Sequence, residues 1–358
     1  MWHVRSIHRI ARFAASVAAT VLAVTATPAS AQESYELSGD PSAVWNLAGV
    51  VTVTGGGSVL TVEVRRGGAD ASRLEVATGT VDLDRDGVQR VDALRVVYPS
   101  DEIVYDGGGT ELHVRDDGTF YRGGRNQGRK VKIRSDGGGI DAHADLDIRI
   151  PNGKTVRIYL AAGEVVVSNV DGDLMVSAGS ADIRSSATSG QLVLDTGSGD
   201  VSLDGARGEV ALDTGSGDVA ARNVSGGDLM VDTGSGDVTG AGITVSELNV
   251  DTGSGDVTLQ SVEATRVLVD TGSGNVEIAF QSGPSDVSVD TGSGDVTLML
   301  PETWESSVEL DTSSGDIHSD FRLTIEEMDD DYVRGRVGTG GGSLEVDTGS
   351  GDIRLNQN

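Results

Sequence analysis

The chain has 358 residues, with 27 lysines and arginines against 56 aspartates and glutamates, a formal net charge of −29 and no cysteine. A surface of that sign repels nucleic acid and anionic membranes, so nucleic-acid binding is excluded. The absence of thiols excludes disulfides, thiolate metal sites, cysteine nucleophiles and lipid anchoring through cysteine.

Arg5, Arg9 and Arg12 precede an apolar run from Phe13 to Ala26, and small residues then surround Ala29 and Ala31. That layout predicts a cleaved secretory signal over residues 1–31. The apolar run is shorter than the ~20 residues a spanning helix needs, and no later stretch replaces it, so no membrane span is expected after cleavage. The mature protein is expected in the periplasm, at the cell surface or in the medium. Its charge is unevenly spread. Residues 32–158 carry 16 basic and 20 acidic groups, whereas residues 159–358 carry 8 and 36.

Residues 32–144 read as a β-rich N-terminal region. Gly49–Thr54 and Val59–Val64 alternate apolar and polar residues around Gly55-Gly56-Gly57, and Leu94–Tyr98 and Lys130–Arg134 repeat the pattern. Asp82-Leu83-Asp84-Arg85-Asp86-Gly87 copies the first half of an EF-hand loop, which makes Asp82, Asp84 and Asp86 candidate calcium ligands. The twelfth position is Ala93 instead of a bidentate acid, and a tight Asp-Gly turn competes with the metal reading. The basic stretch Arg122–Arg134 suits a solvated hairpin, or a contact with the acidic half of a neighbouring molecule. Asp145–Pro151 and Val156–Leu160 form the run-in to a repeat region.

Residues 145–358 are dominated by one motif. Asp-Thr-Gly-Ser-Gly-Asp begins at Asp195, Asp213, Asp232, Asp251, Asp290 and Asp347, with near copies at Asp270 and Asp311 and a worn one at Ser177. The copies recur about every 19 residues, the spacing of a stacked-repeat architecture. Apolar residues alternate on both sides of each copy, as in Leu248 and Val250 before Asp251 and Val257 and Leu259 after Asp256. Two such short strands cannot bury their own apolar face, so units must stack. The expected fold is all-β, a β-solenoid of the single-stranded β-helix type with rungs of about 19 residues, its open end covered by the N-terminal region. An antiparallel meander with Gly-Ser-Gly hairpins is the competing arrangement. The longer interval before Asp347 reads as one divergent or looped-out rung.

The motif also invites two chemical readings. Asp-Thr-Gly-Ser resembles an aspartic-protease loop, but that chemistry needs two facing lobes, and these units are far too short. Alternation points the first and last aspartates of each copy outward, which stacks Asp195, Asp213, Asp232, Asp251 and Asp290 in one column and Asp200, Asp218, Asp237, Asp256 and Asp295 in another. Calcium between the columns is one reading of them. Turn chemistry is the other, with glycine supplying positive φ and Asp and Ser accepting backbone N–H bonds. The histidines left after signal removal, His113, His143 and His318, form no metal or catalytic spacing. No catalytic residue and no cofactor other than calcium is expected.

Asn46–Thr54, Ile150-Pro151-Asn152-Gly153, the serial Thr-Gly-Ser-Gly-Asp-Val units and Met299-Leu300-Pro301 together resemble the bacterial DUF4097 family of adhesin-like β-strand repeat proteins. The resemblance runs from about residue 44 to the end and is weakest over residues 66–140. It implies a β-solenoid envelope or surface protein without known chemistry. The expected role is a non-catalytic, adhesin-like module that binds a protein or glycan partner. The alternative is a scaffolding rod of the envelope, stabilised by calcium or by self-association.

Overall fold

The computed structural model describes residues 32–83, 90–107, 109–121 and 128–358. The signal reading of residues 1–31 and the candidates Asp84 and Asp86 lie outside the described residues.

Alternation becomes strand, and the strands pair in parallel. Val201–Thr214, Val219–Thr233, Val238–Thr252 and Val257–Thr271 lie directly on one another, each one turn of the chain. One interior column reads Val156, Leu174, Leu192, Val210, Leu229, Leu248, Val267, Val287, Leu344 and Val308. A second reads Val165, Ile183, Val201, Val219, Val238, Val257, Val276, Val296, Ile353 and Ile317. All but Ile317, at the end of its column, are buried, while the motif aspartates face outward. Parallel pairing excludes the meander and makes the molecule a β-solenoid. At ~4.8 Å per level the ten levels span roughly 45 Å.

The N-terminal region contributes a rung of its own. Ser42–Gly55 lies parallel on Lys154–Ser168, pairing Val44 with Ile158 and Val53 with Val167. Its far edge is shared by two strands, Arg90–Val97 and His143–Ile150, both parallel to it. Antiparallel strands close the stack beyond them: Glu75–Asp82 on the first, Leu60–Gly67 and then Glu33–Leu37 on the second. A separate sheet of Glu102–Val104, Gly109–Val114, Arg129–Arg134 and Ile140–Asp141 packs beside this end.

The other end departs from the order of the sequence. The rung of Asp347 does not follow that of Asp311. Ser343–Thr348 lies between Asp286–Thr291 and Ser306–Thr312, and Ile353–Gln357 lies between Val296–Leu300 and Ile317–Ser319. The segment expected to hold a divergent rung instead forms the hairpin Leu323–Met328 and Tyr332–Val337. That hairpin caps Ser306–Thr312 in antiparallel fashion. Trp304 and Phe321 pack edge to face, centroids 5.6 Å apart, and plug the core there. Antiparallel strands thus stand at both ends of the parallel stack, although at this end they cover Ser306–Thr312 and not Ile317–Ser319. The outermost one carries the exposed Glu326 and Glu327, charges that discourage further pairing along its edge.

Candidate functional site

The recurring corner is built from its threonine. Thr214 is 1% exposed; its Oγ1 donates to the Gly199 carbonyl of the rung before (2.8 Å) and accepts from the Gly217 N–H of its own turn (3.1 Å). The same pair of bonds recurs at Thr196, Thr233, Thr252, Thr271, Thr291, Thr348 and Thr312. The expected role of the motif glycines is corrected: none of them has a left-handed φ. Glycine is required because a Cβ at Gly255 would fall far inside contact distance of the Gly236 carbonyl below it, and the other turns repeat this clash.

The two aspartate columns form as expected and differ in kind. In the column of Asp200, Asp218, Asp237, Asp256 and Asp295, each carboxylate Oδ1 accepts the backbone N–H of the equivalent residue one rung on, at 2.7 to 3.0 Å. Asn275 fits because its Oδ1 accepts the Asp295 N–H in the same way. This column is therefore a hydrogen-bond ladder. The column of Asp195, Asp213, Asp232, Asp251, Asp270, Asp290, Asp347 and Asp311 accepts no such bonds from its neighbours and places like charges on adjacent levels. Burial, with the neighbouring carboxylates adding to it, raises the pKa of Asp213, Asp270 and Asp347.

A raised carboxylate pKa means that the folded state binds protons more tightly than the unfolded chain does, so stability rises as pH falls through that range. Glu111, Glu305 and Asp352 are lowered by hydrogen bonds, and their contribution is lost only at more acid pH. The melting temperature is expected to climb from pH 7 towards about 4, the ordinary carboxylate value, and to fall below it. Asp213→Asn should raise stability at pH 7 by a few tenths of a kcal/mol, about the scale of exposed charge pairs, and by nothing at pH 3. Melts of both proteins across pH check this.

Among the described residues no group of three or more His, Asp or Glu is placed to hold a metal ion. Asp82 accepts from Arg90 Nε at 2.9 Å, its register partner across the antiparallel strands Glu75–Asp82 and Arg90–Val97. With one oxygen of each ladder carboxylate already engaged, melts in calcium and in EDTA are expected to superimpose. A calcium-dependent rise would instead place the ion between the columns.

Where the solenoid meets the small N-terminal sheet there is a cleft of about 650 Å³. Its floor is the first worn corner, Ser177 to Gly179, together with Asp195 and Gly197. Thr110 to His113, from the strand Gly109–Val114, form the opposite wall, and Tyr121, Tyr159 and Met175 fill the sides. Tyr159 stacks flat on the buried Trp45, ring centroids 4.7 Å apart, which fixes its plane. Tyr121 is braced edge-on by Phe120 and keeps 44% of its surface exposed. Its hydroxyl reaches over bare Gly179, where a Cβ would collide with it. Burial of that hydroxyl, aided by the charge on Asp195, pushes the phenol up to about 12. Burial also raises Asp195, against a hydrogen bond from Ser177 Oγ at 3.0 Å. Glu111 is held by Lys130 and Lys132. Sequence reasoning placed Asp195 in a charge column but missed this cleft, because Tyr121 and Asp195 are 74 positions apart and no motif joins them.

Fold and site together define a β-solenoid repeat protein with a polar-aromatic cleft at its capped end. The model of the Toastrack DUF4097 family matches residues 145–356, and the chain belongs to that family. No curated protein matches the chain. Among solved structures, a "putative cell adhesion protein" from Clostridium sporogenes is similar at 13% identity, covering 92% of this chain and 99% of its own, with a TM-score of 0.20. No helix among the described residues is long and apolar enough to cross a membrane.

Proposed function

We propose that the protein is an exported, non-catalytic recognition module of the bacterial envelope, adhesin-like, whose cleft binds a surface glycan. The observation that carries this reading is the joining of one exposed ring, Tyr121, with polar groups in one concave site. Sugars lay their C–H faces on exposed aromatic rings such as Tyr121, and their hydroxyls donate to carboxylates such as Asp195. His113 and Thr110 offer further polar contacts at the wall. A glycosidase would need two carboxyl groups poised across the scissile bond. Here Glu111 is occupied by two lysines, which supports binding over hydrolysis. The acidic solenoid beyond the cleft disfavours anionic ligands and favours neutral or basic ones.

A glycan array with the fluorescent wild-type protein should return a defined set of neutral or amino sugars. Tyr121→Ala should weaken each hit at least tenfold, about 1.4 kcal/mol, while the melting temperature stays unchanged. No hits, or hits indifferent to Tyr121→Ala, would sink the reading. Fractionation with surface proteolysis tests the location.

A further inference from the structure

The intercalated rung is held by its neighbours in a way any equivalent rung could be. Thr348 Oγ1 donates to the Gly294 carbonyl (2.9 Å) and the Asp352 N–H to Asp295 Oδ1 (2.9 Å), so the rung is tied to the level before it. Thr312 Oγ1 donates to the Gly351 carbonyl (2.9 Å) and the Asp316 N–H to Asp352 Oδ1 (2.9 Å), which ties it to the level after. Leu344, Val346, Ile353 and Leu355 are at most 1% exposed and complete both interior columns. Both walls of the slot, residues 286–300 and 306–319, precede the filler in sequence. Without the filler they present unpaired strand edges on both faces of an apolar gap.

Only the connector marks the filler as belonging to the same chain. It is Gly338-Thr339-Gly340-Gly341-Gly342, with Gly338 and Gly340 in left-handed conformations and open space around Gly341. We propose that the rung of residues 343–357 is exchangeable: a second copy of this chain inserts its own rung into the slot and receives one in return, giving a reciprocal dimer. Every bond across the slot is the same in the exchanged and the closed forms, so the balance depends on the connector, through its entropy and the bonds of Thr339 to Glu305, and on protein concentration. The occupant is a second copy because the slot demands a Thr-Gly-Ser-Gly-Asp corner flanked by alternating Leu and Val, which this chain itself supplies.

The lack of native cysteine allows a direct test. Ser288 and Glu345 are register partners across one wall. Full-length chains carrying either Ser288→Cys or Glu345→Cys are mixed, co-refolded from urea over a range of concentrations and treated with a short bismaleimide. Exchange predicts covalent dimers containing one chain of each kind, with a yield that rises with concentration. That yield should be at least fivefold above a control pairing Ser288→Cys with Arg222→Cys, which lies on a distant rung. A chain with both cysteines should cross-link within itself, which verifies the register. Deleting Gly340 and Gly341 hinders return within one chain and should raise the mixed dimer at least threefold. Mixed dimer no higher than the control, while the double variant cross-links internally, overturns the proposal.

Discussion

Gly255→Ala is expected to break the stack at its centre, at a cost of about 3 kcal/mol or more. The added methyl points at the Gly236 carbonyl of the level below, and neither backbone can retreat freely, because the N–H and carbonyl of both glycines are held by threonine hydroxyls of their own and the next level. Gly341→Ala is the matched control: nothing lies near its Cβ position, and the expected change is within about 0.5 kcal/mol. Urea unfolding followed by circular dichroism measures both. If Gly255→Ala costs under about 1 kcal/mol, close approach is not the reason for glycine in the motif.

Thr214→Val should cost about 2 to 4 kcal/mol although it conserves shape. The hydroxyl serves two buried backbone groups at once, the Gly199 carbonyl and the Gly217 N–H, and valine leaves both without a partner. Serine keeps the hydroxyl and loses one methyl, so Thr214→Ser should cost about 1 kcal/mol. The order of the two variants in chemical denaturation is the test. Equal losses would mean that packing, not hydrogen bonding, fixes the residue.

These two variants also show where the sequence is explicit and where it is mute. The threonine recurs in all eight copies from Asp195 to Asp347, but so do the first aspartate, the serine at the fourth position and the glycine after it, so constancy marks the corner without singling out the threonine. Alternation alone hides its role, because it marks the position as interior, where apolar side chains are the usual occupants. The aspartate columns are legible, since outward alternation is a local property. Their division into a hydrogen-bonded ladder and a repelling file is not, because it depends on which backbone N–H each carboxylate meets on the next level.

The cleft lies at the far end of that scale. Tyr121, Tyr159, Met175 and Asp195 come from four separate stretches of chain, and only the docking of the small sheet on the solenoid brings them together. The buried polar set of Tyr98 and Asn46, with Tyr98 Oη donating to Asn46 Oδ1 at 2.9 Å and Asn46 Nδ2 to the Ala144 carbonyl at 2.7 Å, fastens three of the N-terminal segments to one another. No pattern in the sequence announces it.

By itself the sequence determined that this protein is all-β, that its units stack, which side chains face inward and where the charge lies. Those properties follow from period-two alternation and a fixed repeat length, which every rung experiences alike. Tertiary structure alone decided the order of the rungs and the position of the cleft. Near-identical corners fit on one another in any sequence, so register between copies is degenerate. Connector length, the Trp304–Phe321 plug and the antiparallel caps are what place the rung of Asp347 before that of Asp311.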